Sequence, residues 1–146
     1  MLAAEADPEA ARFIDRWDRS RHEQAIADSD EGHLLILDGA EPVGFALLAG
    51  LRTGAGQIEL RRIVVVPRGR GIGRRALALI LGLAFEGLGA ERVWLDVMVD
   101  NLRARRAYAA AGFVFDVLRR DALPGAAGTR LLAIMSVSRP GRGGAA

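Results

Sequence analysis

The chain has 146 residues, 51% of them hydrophobic, and a formal net charge of +2. That length suits one domain that buries a core without metal or disulfide support. With no cysteine and two histidines, it excludes a disulfide framework and a thiolate nucleophile and leaves too few ligands for an ordinary zinc site.

The chain opens with Glu5, Asp7 and Glu9 rather than a basic lead and an apolar stretch. No later apolar run reaches the roughly 18 residues needed to span a membrane, so a cytoplasmic protein without a membrane partner is expected. Asp7-Pro8-Glu9 has the form of an N-cap, a proline at the first helical position and an early acid, with Phe13, Ile14 and Trp17 following on one face. Ser20-Arg21-His22-Glu23 reads as a capping box for a second short helix ending near Asp28. Strands are predicted from His33 to Asp38 and from Val43 to Leu51, joined as a hairpin through Gly39 and Pro42. After a loop over 52–57, Ile58 to Val66 is a strand. Leu77, Ile80, Leu81, Ala84, Phe85 and Leu88 then recur at helical spacing until Gly87 and Gly89 end the helix. Arg92 to Val99 is a strand, Asn101 to Ala111 a helix, and Gly112-Phe113 the turn into a strand that reaches Arg119. A Pro-Gly-rich loop at 124–128 leads to the last strand, Arg130 to Ser138. Strand, helix, strand over 58–99 makes a crossover between two parallel strands, and the remaining strands are hairpins, so the sheet is mixed. Residues 1–138 form a single domain, and 139–146 a disordered tail.

The most telling stretch is Val66-Pro67-Arg68-Gly69-Arg70-Gly71-Ile72-Gly73-Arg74-Arg75, between a strand and a helix. A glycine-rich turn that opens a helix exposes unpaired backbone N–H groups where the macrodipole is positive. Residues 60–85 contain arginines 61, 62, 68, 70, 74 and 75 and no acid, which favours a phosphate or pyrophosphate. All twenty basic residues are arginine, so a Walker A loop, which needs a lysine, is excluded. A dinucleotide fingerprint from Gly69 and Gly71 would want a third glycine where Arg74 stands.

The loop Gln/Arg-x-x-Gly-x-Gly/Ala is satisfied by Arg68-x-x-Gly71-x-Gly73, and here the chain resembles the GNAT superfamily of acetyl-CoA-dependent N-acyltransferases. The preceding Leu60-x-x-Ile63-Val64-Val65-Val66-Pro67 is similar to that family's strand, and Asn101-x-x-Ala104-x-x-x-Tyr108-x-x-x-Gly112-Phe113 to its second signature. One departure is that Pro67 and Arg68 are adjacent, where the family commonly has two more residues. The resemblance implies an α/β (α+β) fold: a mixed, mostly antiparallel central sheet, a parallel strand pair splayed at the coenzyme site, and helices on both faces.

It also implies that the backbone of Ile63, Val64 and Val65 pairs with the pantetheine arm of acetyl-CoA, and that one of these N–H groups polarises the thioester. Arg68, Gly69, Gly71, Ile72 and Gly73 would form the loop that brings the backbone to the pyrophosphate, with Arg70, Arg74 and Arg75 donating charged hydrogen bonds. Asn101 would orient the coenzyme, cap its helix, or both. Tyr108 is placed by the resemblance as the acid that protonates the departing thiolate. Asp96 matches in position an acid of the bacterial ribosomal-protein N-terminal acetyltransferases, and Glu59 on the preceding strand is the rival base. Either acid could instead pair structurally with Arg61, Arg62 or Arg92. Alternation in Trp94-Leu95-Asp96-Val97 puts Asp96 on one face with Trp94 and Met98.

The expected activity is an N-acetyltransferase in which a primary amine, of a protein or peptide, attacks acetyl-CoA directly. A small-molecule amine acceptor and a non-catalytic coenzyme A-binding regulatory module are the alternatives. No metal is expected, and the protein would be a monomer or homodimer. With 5% aromatics and one tyrosine, there is no stacking array for nucleic acid.

Overall fold

A computed structural model describes residues 30–66, 71–122 and 128–141. Six strands and two helices follow in the order β1 (Glu31–Asp38), β2 (Glu41–Ala49), β3 (Gln57–Val65), α1 (Ile72–Gly82), β4 (Arg92–Met98), α2 (Leu102–Ala110), β5 (Val114–Ala122) and β6 (Thr129–Ser138). The two helices expected before Asp28 lie outside the described residues.

One sheet holds all six strands in the order β1-β2-β3-β4-β6-β5. Every neighbouring pair is antiparallel except β3 with β4, which run parallel and are joined across α1. This is the mixed sheet that the pattern of hairpins and one crossover predicts. Gly39 makes the β1–β2 turn at φ +63°, whereas Pro42 stands in β2 opposite Leu37 rather than in the turn. A proline fits there because it begins a strand beside a register shift. The helix predicted to run to Gly87 ends as α1 at Gly82 and continues as a π-helical turn, Leu83–Gly87.

Leu77, Ile80, Leu81, Ala84 and Phe85 pack onto Ile58, Leu60, Val93, Leu95, Val97, Phe113 and Met135 to form the main core on one face, hereafter the helix face. Alternation along β4 leaves Arg92, Trp94, Asp96 and Met98 half-buried on the opposite face, as the sequence pattern requires. In β3 burial alternates along the whole strand, but the register with β2 is interrupted. Leu60 pairs with Leu48 and Arg62 with Leu47, so Arg61 is an extra residue in a bulge. Ile58 and Leu60 face the helices before it, and Ile63 and Val65 contact Ile72 and Ala76 after it.

β2 must approach β3 closely just where the latter enters the glycine turn. Gly44 pairs with Val65, and a Cβ on Gly44 would lie 2.0 Å from the carbonyl oxygen of Val64. Gly44→Ala should therefore destabilise the fold by about 1–3 kcal/mol, the usual cost of overpacking. Urea denaturation checks this; an unchanged midpoint would show that β2 yields freely.

Arg139, assigned to the tail, is tied to the rest of the molecule. Its N–H donates to the Glu91 carbonyl at 2.8 Å, its Nε to that of Ala90 at 3.1 Å, and Nη2 to that of Phe85.

Candidate active site

β3 and β4 pair through only three rungs, Gln57 with Arg92, Ile58 with Val93 and Glu59 with Trp94. Beyond Glu59, β3 stays with β2 as far as Val65, and beyond Trp94, β4 stays with β6 as far as Met98. The two parallel strands therefore splay apart toward their carboxyl ends. The backbone N–H and C=O groups that Ile63, Val64 and Val65 do not spend on β2 face this gap. Ligands of α/β sheets bind beyond the carboxyl ends of parallel strands, and the gap is such a place.

Each arm of the splay runs into a helix start. On the β3 side, Gly71 adopts the left-handed conformation at φ +73° and caps α1 with no side-chain hydrogen bond. The first turn of α1 has no acidic residue; Ile72 is buried, while Arg74 and Arg75 are exposed. Among the described residues, a Cβ on Gly71 or Gly73 would meet nothing within 4 Å. Helix-start N–H groups, a positive dipole end and two exposed guanidinium groups suit an anion. Arg68, Gly69 and Arg70 lie outside the described residues.

On the β4 side, Asn101 is the N-cap of α2, its Oδ1 accepting from the Ala104 N–H at 3.2 Å. Tyr108, two turns on, is half-buried against the helix-face core. Its ring packs against Phe113 with centroids 5.7 Å apart and planes tilted by 60°. Asn101 thus caps α2, and its Nδ2 is not engaged in that cap.

The two candidate bases lie on the other face. Glu59 is paired directly with Trp94, and Asp96 follows two residues later on the same side of β4. Glu59 Oε1 accepts from Arg61 Nε at 3.2 Å and Nη2 at 3.0 Å, and Arg61 also reaches Glu31. Asp96 Oδ2 accepts from Arg119 Nη2 at 2.6 Å, while Arg119 is held in turn by Asp121 at 3.1 and 3.2 Å. Desolvation is the largest single effect on the Arg119 guanidinium and lowers its pKa, but the hydrogen bonds and charges of Asp121 and Asp96 together outweigh it and raise the pKa above its ordinary value. Arg61 is thus the expected partner of Glu59, but Asp96 takes Arg119 rather than Arg61, Arg62 or Arg92. Arg92 instead bonds Gln57 at 2.9 Å and Asp116 at 2.6 Å.

Ile63–Val65, Gly71–Arg74 and the start of α2 at Asn101 thus all follow the carboxyl ends of the splayed strands, with Tyr108 on the helix face and the two acids on the opposite one. Glu31 and Arg119 were not assigned to the site from the sequence, because their pairings span 30 and 23 positions, the latter joining β5 to β4 across β6; Asp121 lies two residues from Arg119 and enters only through it. A separate apolar groove of about 550 Å³ lies between β1 and α1, lined by Leu34, Leu37, Ala76 and Leu79 among others. It shares Ile72 and Arg75 with the start of α1 described above, and none of Ile63, Val64, Val65, Asn101 or Tyr108. Among the described residues no group of three metal-ligating side chains comes together, and no helix is long and apolar enough to cross a membrane.

Comparison with known proteins agrees with this geometry. The model of the acetyltransferase (GNAT) family matches residues 2–113. The chain is 34% identical over 120 residues to the N-alpha-acetyltransferase RimI of Mycobacterium tuberculosis, covering 79% of this chain and 73% of that protein. It is 32% identical over 113 residues to an uncharacterized N-acetyltransferase of the same species, covering 75% and 70%. Among solved structures, the spermidine N-acetyltransferase of Vibrio cholerae with CoA and spermine superposes with a TM-score of 0.79. At 17% identity, over 94% of this chain and 87% of that one, the likeness is one of fold.

Proposed function

Since the chain belongs to the acetyltransferase (GNAT) family, we propose that it moves an acetyl group from acetyl-CoA to the amine of a peptide or protein. The observation that carries this reading is the splay of β3 from β4 after Glu59 and Trp94, flanked by the Gly71 turn and by the Asn101–Tyr108 helix. The pyrophosphate sits on the N–H groups of Gly71, Ile72 and Gly73 with Arg74 beside it, as the preceding residues Arg68, Gly69 and Arg70 would also favour. The pantetheine arm then lies along Ile63–Val65 and completes the strand pairing that β4 gives up.

Direct transfer follows. The free amine attacks the thioester carbonyl, and a β3 N–H stabilises the oxyanion. The C–S bond breaks as Tyr108 protonates the coenzyme A thiolate from the helix face. The amine proton passes to Asp96 or Glu59 on the opposite face, directly or through a water. No cysteine is present to form a thiol acyl-enzyme. Freeing an α-amine at pH 7 costs about 1 kcal/mol, against about 4.6 kcal/mol for a lysine amine. Both candidate acids already serve an arginine, so the arrangement suits the less demanding α-amine. The resemblance to an N-alpha-acetyltransferase, RimI, supports the same choice.

The test is thiol release from acetyl-CoA with three acceptor sets: peptides with a free α-amine, N-terminally blocked peptides with lysine, and polyamines. Mass spectrometry should find the α-amino peptides acetylated fastest. Faster polyamine turnover would make this a small-molecule enzyme, and binding of acetyl-CoA without release for any amine would make it a regulatory module.

A further inference from the structure

Trp94 has no part in the reaction described above, yet it occupies the floor of the splay. It is the last residue of β4 to pair with β3, its partner is Glu59, and Asp96 follows on the same face. Trp94 is half-buried and does not belong to the helix-face core. Among the described residues, the acids beside it keep one oxygen each outside their ion pairs. Glu59 Oε1 takes both Arg61 bonds and leaves Oε2, while Asp96 Oδ2 takes Arg119 and leaves Oδ1. Trp94 thus has a carboxylate opposite it on β3 and another two residues on along the same face of β4, and an aromatic ring among carboxylates attracts a cation by its quadrupole and by charge together.

We propose that Trp94 is a specificity-determining residue that takes the acceptor as an ammonium ion, its indole and the oxygens Glu59 Oε2 and Asp96 Oδ1 enclosing the charged amine before it is deprotonated. This rests on the reading that the acceptor reaches the splay from the face opposite Tyr108. The chemistry is a primary ammonium, whether from a peptide N-terminus or a polyamine. An uncharged amine such as an arylamine lacks the charge that the enclosure reads and is a poor acceptor even though it is already deprotonated.

The experiment separates recognition from turnover. The full chain saturated with coenzyme A is titrated, at fixed ionic strength, with tetramethylammonium chloride and with tert-butanol, its neutral counterpart of similar shape. The indole N–H resonance of Trp94, assigned by its loss in Trp94→Phe, reports binding. Tetramethylammonium should bind at least tenfold more tightly than tert-butanol. Trp94→Leu should remove that preference while coenzyme A affinity is retained; binding by the leucine variant is followed by calorimetry. Trp94→Phe, which keeps an aromatic face, should retain part of the preference, and is decisive if the leucine variant does not fold. A tripeptide amide with a free α-amine and spermidine, titrated in parallel, show which source of ammonium fits better. Equal binding of the cation and the neutral compound, or a preference untouched in both variants, overturns the proposal. Absence of thiol release with every amine would instead defeat the acetyltransferase reading and leave the cation preference to be judged on its own.

Discussion

Gly71→Glu should lower acetyl-CoA affinity at least about 100-fold, equivalent to about 2.7 kcal/mol. The structure separates the causes. Among the described residues nothing lies within 4 Å of a Cβ at this position, so the substitution clashes with none of them. Two effects remain. Gly71 holds φ +73° at the cap of α1, a conformation that costs an L-residue about 1–2 kcal/mol. The new carboxylate also stands at the positive end of the helix, where the pyrophosphate would bind, and repels it. Gly71→Ala carries the backbone strain without the charge and should lose tenfold or less. Calorimetric titration of both variants checks this; retained affinity in Gly71→Glu would place the phosphates elsewhere.

Tyr108→Phe should lower kcat about 100-fold, the lower end of what a positioned acid contributes, with acetyl-CoA affinity near that of the parent protein. The ring that packs at 5.7 Å from Phe113 is preserved and only the hydroxyl is lost. Thiol release under saturating acetyl-CoA gives kcat, and equilibrium titration gives the affinity. An unchanged kcat would remove Tyr108 as the acid. A matched loss of affinity would instead assign the hydroxyl to coenzyme binding.

What could be read from the sequence is local or periodic. The turn ending in Gly71 and the cap at Asn101 each depend on a few consecutive residues, and the alternation from Arg92 to Met98 gives the face of Asp96 directly. The parallel relation of β3 and β4 follows from the helix between them. What could not be read depends on registers between distant strands. Arg61 is a bulge only because β2 advances by one residue against β3 at Leu47 and Leu48. No local pattern announces it, since Gln57–Val65 alternates in burial throughout. In the same way, Asp96 meets Arg119 only because β5 and β4 both pair with β6, at Leu132 for Arg119 and Ile134 for Asp96. Composition cannot choose among twenty arginines. The extent of the splay, three rungs and then divergence, is likewise a property of the sheet.

That divergence also governs the order in which substrates can come and go. As proposed above, the donor would approach along the helix face and the acceptor from the other side, so that neither would close the path of its partner. On the proposed reaction, the ternary complex forms by either sequence of addition. Initial-velocity plots should then intersect rather than run parallel, and an acetylated product can depart while coenzyme A is still in place. Coenzyme A left behind in this way would trap fresh acceptor in a dead-end complex, so product inhibition would sharpen as acceptor concentration rises.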